Sequence, residues 1–206
     1  MKTLLRVDAS SRVDGSHSRD IADFFVEHWL SANLEGRVVT RDLVEEPIPH
    51  ISEETITGYY TPKEQHTPEL KAATALSDKL ITELKEADVV LIDTPMYNFS
   101  VPSALKAWID QISRVGETFS FSPDTGFEGL ITGKPVYVIT ATGAVFSDEA
   151  MQPMDFLTPY LQLLLGFLGF AQVEVFEIEG TSTDEAAVEL SSDKAKTRII
   201  ELGTEL

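Results

Sequence analysis

The 206-residue sequence contains no cysteine, which excludes disulfides, thiolate nucleophiles, zinc–thiolate sites and cysteine-ligated clusters. Basic side chains are also scarce: 16 Lys and Arg stand against 34 Asp and Glu, a formal net charge of −18. Nucleic acid and anionic membrane surfaces are recognised by clustered Lys and Arg, so neither is expected as a main partner. Met1-Lys2-Thr3 runs straight into a strand-like stretch, without the basic and apolar regions of a secretory signal. The longest strongly apolar stretch, residues 156–170, contains Thr158, Pro159, Tyr160 and Gln162 and is too short to span a bilayer. A cytoplasmic protein is the default expectation. His17, His28, His50 and His66 show no His-x-x-x-His spacing and no carboxylate clustering, so no metal site is expected.

What is present is ordinary for a globular chain, 43% hydrophobic and 24% charged, which gives no sign of disorder. The length suits one domain over residues 1–206, burying roughly 70% of its unfolded surface. Short β-rich runs alternate with longer helical periods. Residues 4–7, 37–40, 88–93, 135–140 and 173–178 read as strands, and 88–93 (Asp-Val-Val-Leu-Ile-Asp) is nearly continuous apolar sequence, as a strand covered on both faces requires. Apolar residues recur at helical spacing over 16–30, 67–84, 102–114, 156–168 and 185–202, with Thr67 and Pro68 as N-cap and first helical residue. Strands separated by helices give parallel β-α-β units. By analogy, five such strands fit the flavodoxin-like doubly wound order 2-1-3-4-5 with helices on both faces, which sets a ligand at the carboxyl ends of strands one and three. Residues 45–65 hold three prolines and no clear period, reading as a binding loop or as a plain surface excursion.

Two loops leave those strand ends. The first, Asp8-Ala9-Ser10-Ser11-Arg12-Val13-Asp14-Gly15-Ser16-His17-Ser18, precedes a helix. Unpaired N–H groups and the helix dipole make such a junction an anion site. Ser10, Ser16 and Ser18 add hydroxyl donors there. The same residue types also cap helices and fill turns, so both readings stand. The loop is neither a Walker A sequence nor a G-x-G-x-x-G, and a phosphate monoester suits it better than a dinucleotide. Asp8 would repel a phosphate and is expected to turn away. The second loop, Thr94-Pro95-Met96-Tyr97-Asn98-Phe99-Ser100-Val101-Pro102, holds an apolar–aromatic tetrapeptide between prolines. It either meets a flat apolar ligand, folds inward, or closes a subunit interface.

Pro95-Met96-Tyr97-Asn98-Phe99, then Pro102, Leu105-Lys106, Asp110 and Arg114-Val115-Gly116-Glu117-Thr118-Phe119, resembles the bacterial FMN-dependent azoreductases, or NADH:quinone oxidoreductases. The likeness covers nearly the whole chain, through Arg41-Asp42-Leu43, Pro47-Ile48-Pro49, Glu128-Gly129-Leu130, Thr132-Gly133-Lys134 and Thr158-Pro159-Tyr160-Leu161. It implies a flavodoxin-like fold with FMN bound, its phosphate on Ser10, Ser16, His17 and Ser18 and its ring along Met96, Tyr97, Asn98 and Phe99. The His17 imidazole is read as incidental, since neighbouring amides can serve. Where the family usually has Ser-Arg-Gly-Gly against the flavin, this chain has Ala141, Thr142, Gly143 and Ala144, without the serine hydroxyl or the arginine charge.

The resemblance further implies NADH or NADPH as electron donor, a quinone or azo compound as acceptor, and a homodimer. The flavin itself carries the chemistry, so no catalytic side chain is expected. Phe121, on a hairpin expected after Phe119, is a candidate wall for the acceptor. Trp108 and residues 156–168 are candidates for the dimer interface, with core packing as the other reading. A flavodoxin-type electron carrier and a flavin-free interaction protein are the alternatives to the enzyme. A phosphodiesterase, a label given to some relatives, finds no His/Asp metal cluster here.

Overall fold

The computed structural model describes residues 1–203; the last three residues of the 1–206 span lie outside the described residues. Strands β1 (Thr3–Asp8), β2 (Arg37–Asp42), β3 (Val89–Pro95), β6 (Pro135–Ala141) and β7 (Gln172–Ile178) form one parallel sheet in the order β2-β1-β3-β6-β7. Counting along the chain, this is the expected 2-1-3-4-5 order. A separate antiparallel hairpin, β4 (Phe119–Ser122) and β5 (Gly126–Gly129), interrupts the alternation. The helices are α1 (His17–Ala32), α2 (Glu53–Tyr60), α3 (Pro68–Glu86), α4 (Ser103–Ile112), α5 (Thr158–Leu168) and α6 (Glu185–Leu202).

The two-residue period of the strands sorts their side chains into two cores. Leu4, Val89, Leu91, Tyr137 and Ile139 pack on one face against Ile21, Phe25 and Trp29 of α1 and Ile199 and Leu202 of α6. Leu5, Val7, Val90, Ile92, Val136 and Val138 pack on the other against α3, α4 and α5. Trp108 lies in this second core at 1% exposure, so its packing is internal and it drops out as an interface candidate. The amphipathic spacing of α4 could not separate these readings, because core and interface want the same apolar face.

Residues 45–65 are not a plain loop. They contain α2, entered through a capping box in which Ser52 accepts from the Thr55 N–H while Thr55 accepts from the Ser52 N–H. Two turns are too short for a legible period, and the buried residues are Thr55 and Gly58 rather than large aliphatics. A Cβ on Gly58 would come within 2.5 Å of the Thr74 methyl of α3. Tyr59 donates to Gln111 at 2.8 Å and lies under the Arg114 guanidinium. These contacts fix α2 to α3 and α4.

The hairpin is docked by a close backbone crossing. α5 ends on Gly169 at φ 107°, a left-handed cap suited to glycine. At the crossing, a Cβ on Gly129 would stand 2.2 Å from the Gly169 nitrogen. Gly129→Ala must therefore move backbone, and a loss of about 1–3 kcal/mol is expected. Thermal unfolding of this variant should show a midpoint lowered by roughly 2–4 °C per kcal/mol.

Candidate functional site

β1 and β3 are neighbours in the sheet, with Asp8 beside Asp93 in register. Their carboxyl ends, with that of β6, open beneath a cavity of about 300 Å³. Ser10, Ser16, His17 and Ser18 line one side, and Pro95, Met96 and Tyr97 another. Ala141 and Gly143 close it from β6. The two loops singled out by sequence thus meet across one space.

The serine loop is built as a hydroxyl chain. Ser16 Oγ donates to Ser10 Oγ at 2.9 Å, Ser10 Oγ donates to the Arg12 carbonyl, and Ser18 Oγ donates to Asp93 Oδ1 at 2.9 Å. Ser16 occupies the N-cap of α1 in extended conformation, yet its side chain makes no capping bond. This decides against the pure capping role. The N–H groups of the first turn, which have no intrahelical acceptor, receive none from Ser16 either. Ser18 differs from expectation, because its buried hydroxyl is committed to Asp93. Its contribution toward the cavity is therefore its backbone.

Asp8 does turn away from the cradle. It accepts from Arg6 Nε at 2.6 Å and from Arg19 Nη1 at 3.3 Å, behind the loop. Arg19 also grips Asp42 through both terminal nitrogens, at 2.6 and 3.2 Å, and donates to the Ser10 carbonyl at 2.9 Å. One guanidinium thereby ties the ends of β1 and β2 to the serine loop. Burial raises the Asp42 carboxyl, but Arg19 and the Val44 and Glu45 amides hold it below the usual carboxylate range. Asp93 has no such cation of its own; burial first, and Asp8 second, push its carboxyl well above that range.

The second loop is a tight turn. Tyr97 and Ser100 exchange both backbone hydrogen bonds, at 3.0 and 3.2 Å. The central residues Asn98 and Phe99 both have positive φ, 49° and 70°, the signature of a type I′ turn. For Phe99 that conformation costs on the order of 1–2 kcal/mol. Its carbonyl accepts from Phe156 N–H, and its ring meets Phe146 edge-on at 6.4 Å. Among the described residues the N–H groups of Asn98 and Phe99 have no acceptor. Asn98 lines a second, adjoining cavity with Tyr97, Val101, Lys106 and Tyr160.

Not every residue expected in the site reaches it. Phe99 lines neither cavity. Thr142 is buried and bonds the Ala144 carbonyl, so these two shape the turn from behind. Phe121 stands on the hairpin, more than half exposed, with its ring 4.9 Å from Phe127. Within one chain it does not approach the cavity lining. Conversely, Arg12, Thr181 and Ser182 line the cavity without having been singled out. Arg12 was visible in the loop. The 181–182 segment carries no local signal, since it reaches the site only because Thr181 and Ser182 N–H groups bond the Thr142 and Gly143 carbonyls.

Among the described residues no group of three His, Asp or Glu side chains could hold a metal, and no helix is long and apolar enough to cross a membrane. Residues 1–202 match the family model described as a flavodoxin-like fold. An FMN-dependent NADH:quinone oxidoreductase of Xanthobacter autotrophicus is 48% identical over 177 residues, 85% of each chain. Another, from Hydrogenovibrio crunogenus, is 44% identical across 95% of this chain and 96% of its own. The crystal structure of an azoreductase from Bacillus anthracis superposes with a TM-score of 0.90 at 26% identity, covering 100% of both chains. The chain therefore belongs to the flavodoxin-like fold family, and within it to the family of FMN-dependent NADH:quinone oxidoreductases.

Proposed function

We propose that this protein is an FMN-dependent oxidoreductase that takes electrons from NADH or NADPH and delivers them to quinones or azo compounds. The observation that carries the reading is the cavity at the ends of β1, β3 and β6. A cradle of hydroxyls and free helix N–H groups faces an apolar Pro95-Met96-Tyr97 wall across it. A phosphate suits one side and a flat ring the other. The relatives named as FMN-dependent quinone oxidoreductases and the neighbouring azoreductase support the same reading.

The donor set fits FMN. Ser10, Ser16 and the first-turn amides of α1, among them those of His17 and Ser18, would hold its phosphate, with Arg12 at the rim. Met96, Tyr97 and Gly143 would hold its ring, and Asn98 would extend that contact into the second cavity. When bound, the flavin supplies the hydride chemistry. The chain's own part is to orient it, exclude water and offer N–H donors. Those of Asn98 and Phe99, which have no acceptor among the described residues, would be hydrogen-bond donors toward the flavin ring. The turn from Ala141 to Ala144 works through its backbone, and the Tyr97, Val101 and Tyr160 cavity offers apolar walls to a flat acceptor. No proton-transferring triad is required.

A cytoplasmic homodimer of one domain per chain completes the proposal. Phe156 at 61%, Leu163 at 75% and Phe127 at 64% exposure lie on or beside α5 and the hairpin, a large apolar surface for a solvated monomer. Phe121 shares this surface and is proposed to line the acceptor site only through such an interface. Sedimentation velocity should show a dimer that Leu163→Lys weakens; a monomeric wild type would refute the assembly.

Two further measurements test the site. Ser16→Ala should weaken FMN binding by about 1.5–3 kcal/mol if the hydroxyl bonds a charged phosphate. An unchanged dissociation constant would confine Ser16 to its bond with Ser10. The purified protein should show flavin absorption bands that NADH bleaches anaerobically and benzoquinone restores. Bound flavin without steady-state NADH oxidation would instead identify an electron carrier, and a protein that takes up no FMN an interaction module.

A further inference from the structure

We infer that Asp93 is a positioning residue for the cradle. It is kept as a neutral carboxylic acid whose Oδ2 proton is shared with Asp8, holding Ser18 and the first turn of α1 open to phosphate. The inference rests on the FMN reading for the identity of that phosphate.

Three observations carry it. Asp93 is fully buried, and its Oδ1 accepts from Ser18 while Oδ2 has no partner among the described residues when the carboxyl is treated as an acceptor only. A buried carboxylate oxygen without a donor is costly, whereas a protonated oxygen becomes a donor itself. Asp8 is the acceptor within reach, its direct cross-strand partner in register. Finally, the ion pairs of Arg6 and Arg19 go to Asp8, Asp23 and Asp42 and none reaches Asp93, although Arg19 Nε is left without a partner among the described residues; two guanidiniums facing a third ionised carboxyl would leave uncompensated charge directly under the site.

The surroundings from every element point the same way. β1 presents Arg6 and Asp8, with Arg6 drawn outward to the exposed Asp23. α1 presents Ser18 and Arg19, and Arg19 is turned to Asp42 of β2. β6 contributes Ile139 and the buried Tyr137 on the same face, and β7 contributes Phe176 and Ile178. Burial raises the Asp93 carboxyl most, Asp8 adds to it, and Ser18 and Arg6 only partly oppose it.

Asp93→Asn reproduces the protonated form, its amide N–H facing Asp8 and its oxygen facing Ser18. The test titrates FMN, and riboflavin as the phosphate-free control, into flavin-stripped wild-type, Asp93→Asn and Asp93→Ala proteins across pH, reading fluorescence quenching. Asp93→Asn should bind FMN as the wild type does at pH values where Asp93 is protonated. Asp93→Ala should lose about tenfold to a hundredfold in FMN affinity, the range of one hydrogen bond to a charged group, with riboflavin binding unchanged. Wild-type FMN affinity should fall as pH rises through the raised Asp93 value, and Asp93→Asn should lack that fall.

Infrared spectra without flavin should show a protonated-carboxyl carbonyl band that Asp93→Asn removes. Because the native state binds this proton more tightly than the unfolded chain, wild-type stability should decline as pH rises above the ordinary carboxylate range. That decline should stop at the raised native value, and Asp93→Asn should remove the slope. Superimposed FMN profiles for wild type and Asp93→Asn, equal loss of riboflavin in Asp93→Ala, or no such infrared band overturns the role of Asp93. Failure of the wild type to bind FMN at any pH overturns the flavin reading, and the cradle role with it.

Discussion

Parallel pairing of β1 with β3 sets Asp8 and Asp93 side by side at the carboxyl end of the sheet, and the polar architecture of the site is arranged around that pair. Like charges directly opposite one another are destabilising in any sheet, and burial multiplies the cost. The structure meets it with position. Arg6 and Arg19 converge on Asp8, Ser18 reaches Asp93, and Arg19 extends to Asp42 and to the Ser10 carbonyl. The serine loop is thus fastened from behind, by the group that compensates the carboxylates. Its hydroxyls add a second set of ties, Ser16 to Ser10 and Ser10 to the Arg12 carbonyl, along the side that lines the cavity.

The opposite wall uses a different device. Asn98 and Phe99 occupy left-handed conformations that glycine would adopt without cost, so side chains at these two positions are retained at an energetic expense. The reciprocal Tyr97–Ser100 bonds, the Phe99–Phe146 ring contact and the Phe156 N–H hold the turn in place. The result is a pair of adjacent peptide N–H groups that have no acceptor among the described residues, beside a side-chain wall of Met96 and Tyr97. A rigid turn does not reorganise when charge develops next to it, which is what electrostatic stabilisation requires.

How much of this was legible follows from the range of each signal. The three central strands were plain because both faces of each are buried, leaving apolar runs such as Val89–Ile92, whereas the edge strands β2 and β7 are partly exposed. The helix α2 was hidden, since two turns built on Thr55 and Gly58 leave no apolar period, although Ser52 and Thr55 form its cap. Ser16 was correctly found at the helix start, but its hydroxyl's direction depends on Ser10, six residues away. Ser18 points to Asp93, seventy-five residues on, and no local pattern reports that. Trp108 stayed open between core and interface, and Phe121 between acceptor wall and interface, for the same reason: an apolar side chain states that it will be covered, and only topology states by what. The family resemblance located the Met96–Phe99 loop, while the Asp8–Asp93 pair and the 181–182 segment emerged from the register and the loop contacts alone.

The same distinction between local and global resolves the protein's charge. A chain with a formal net charge of −18 is a poor general partner for a phosphate. Yet among the described residues no Asp or Glu lines the cavity at the ends of β1, β3 and β6, while Arg12 does. Behind the loop Asp8 and Asp42 are tied to guanidiniums and Asp93 accepts from Ser18, while the remaining surface charge is screened over about 8 Å at physiological salt. What an anion meets at this site is therefore set by hydroxyls, peptide N–H groups and a helix terminus within hydrogen-bonding reach. The acidity of the rest of the chain acts on solubility and on partners at long range, and the cradle is insulated from it by the arginine-bound layer on which it stands.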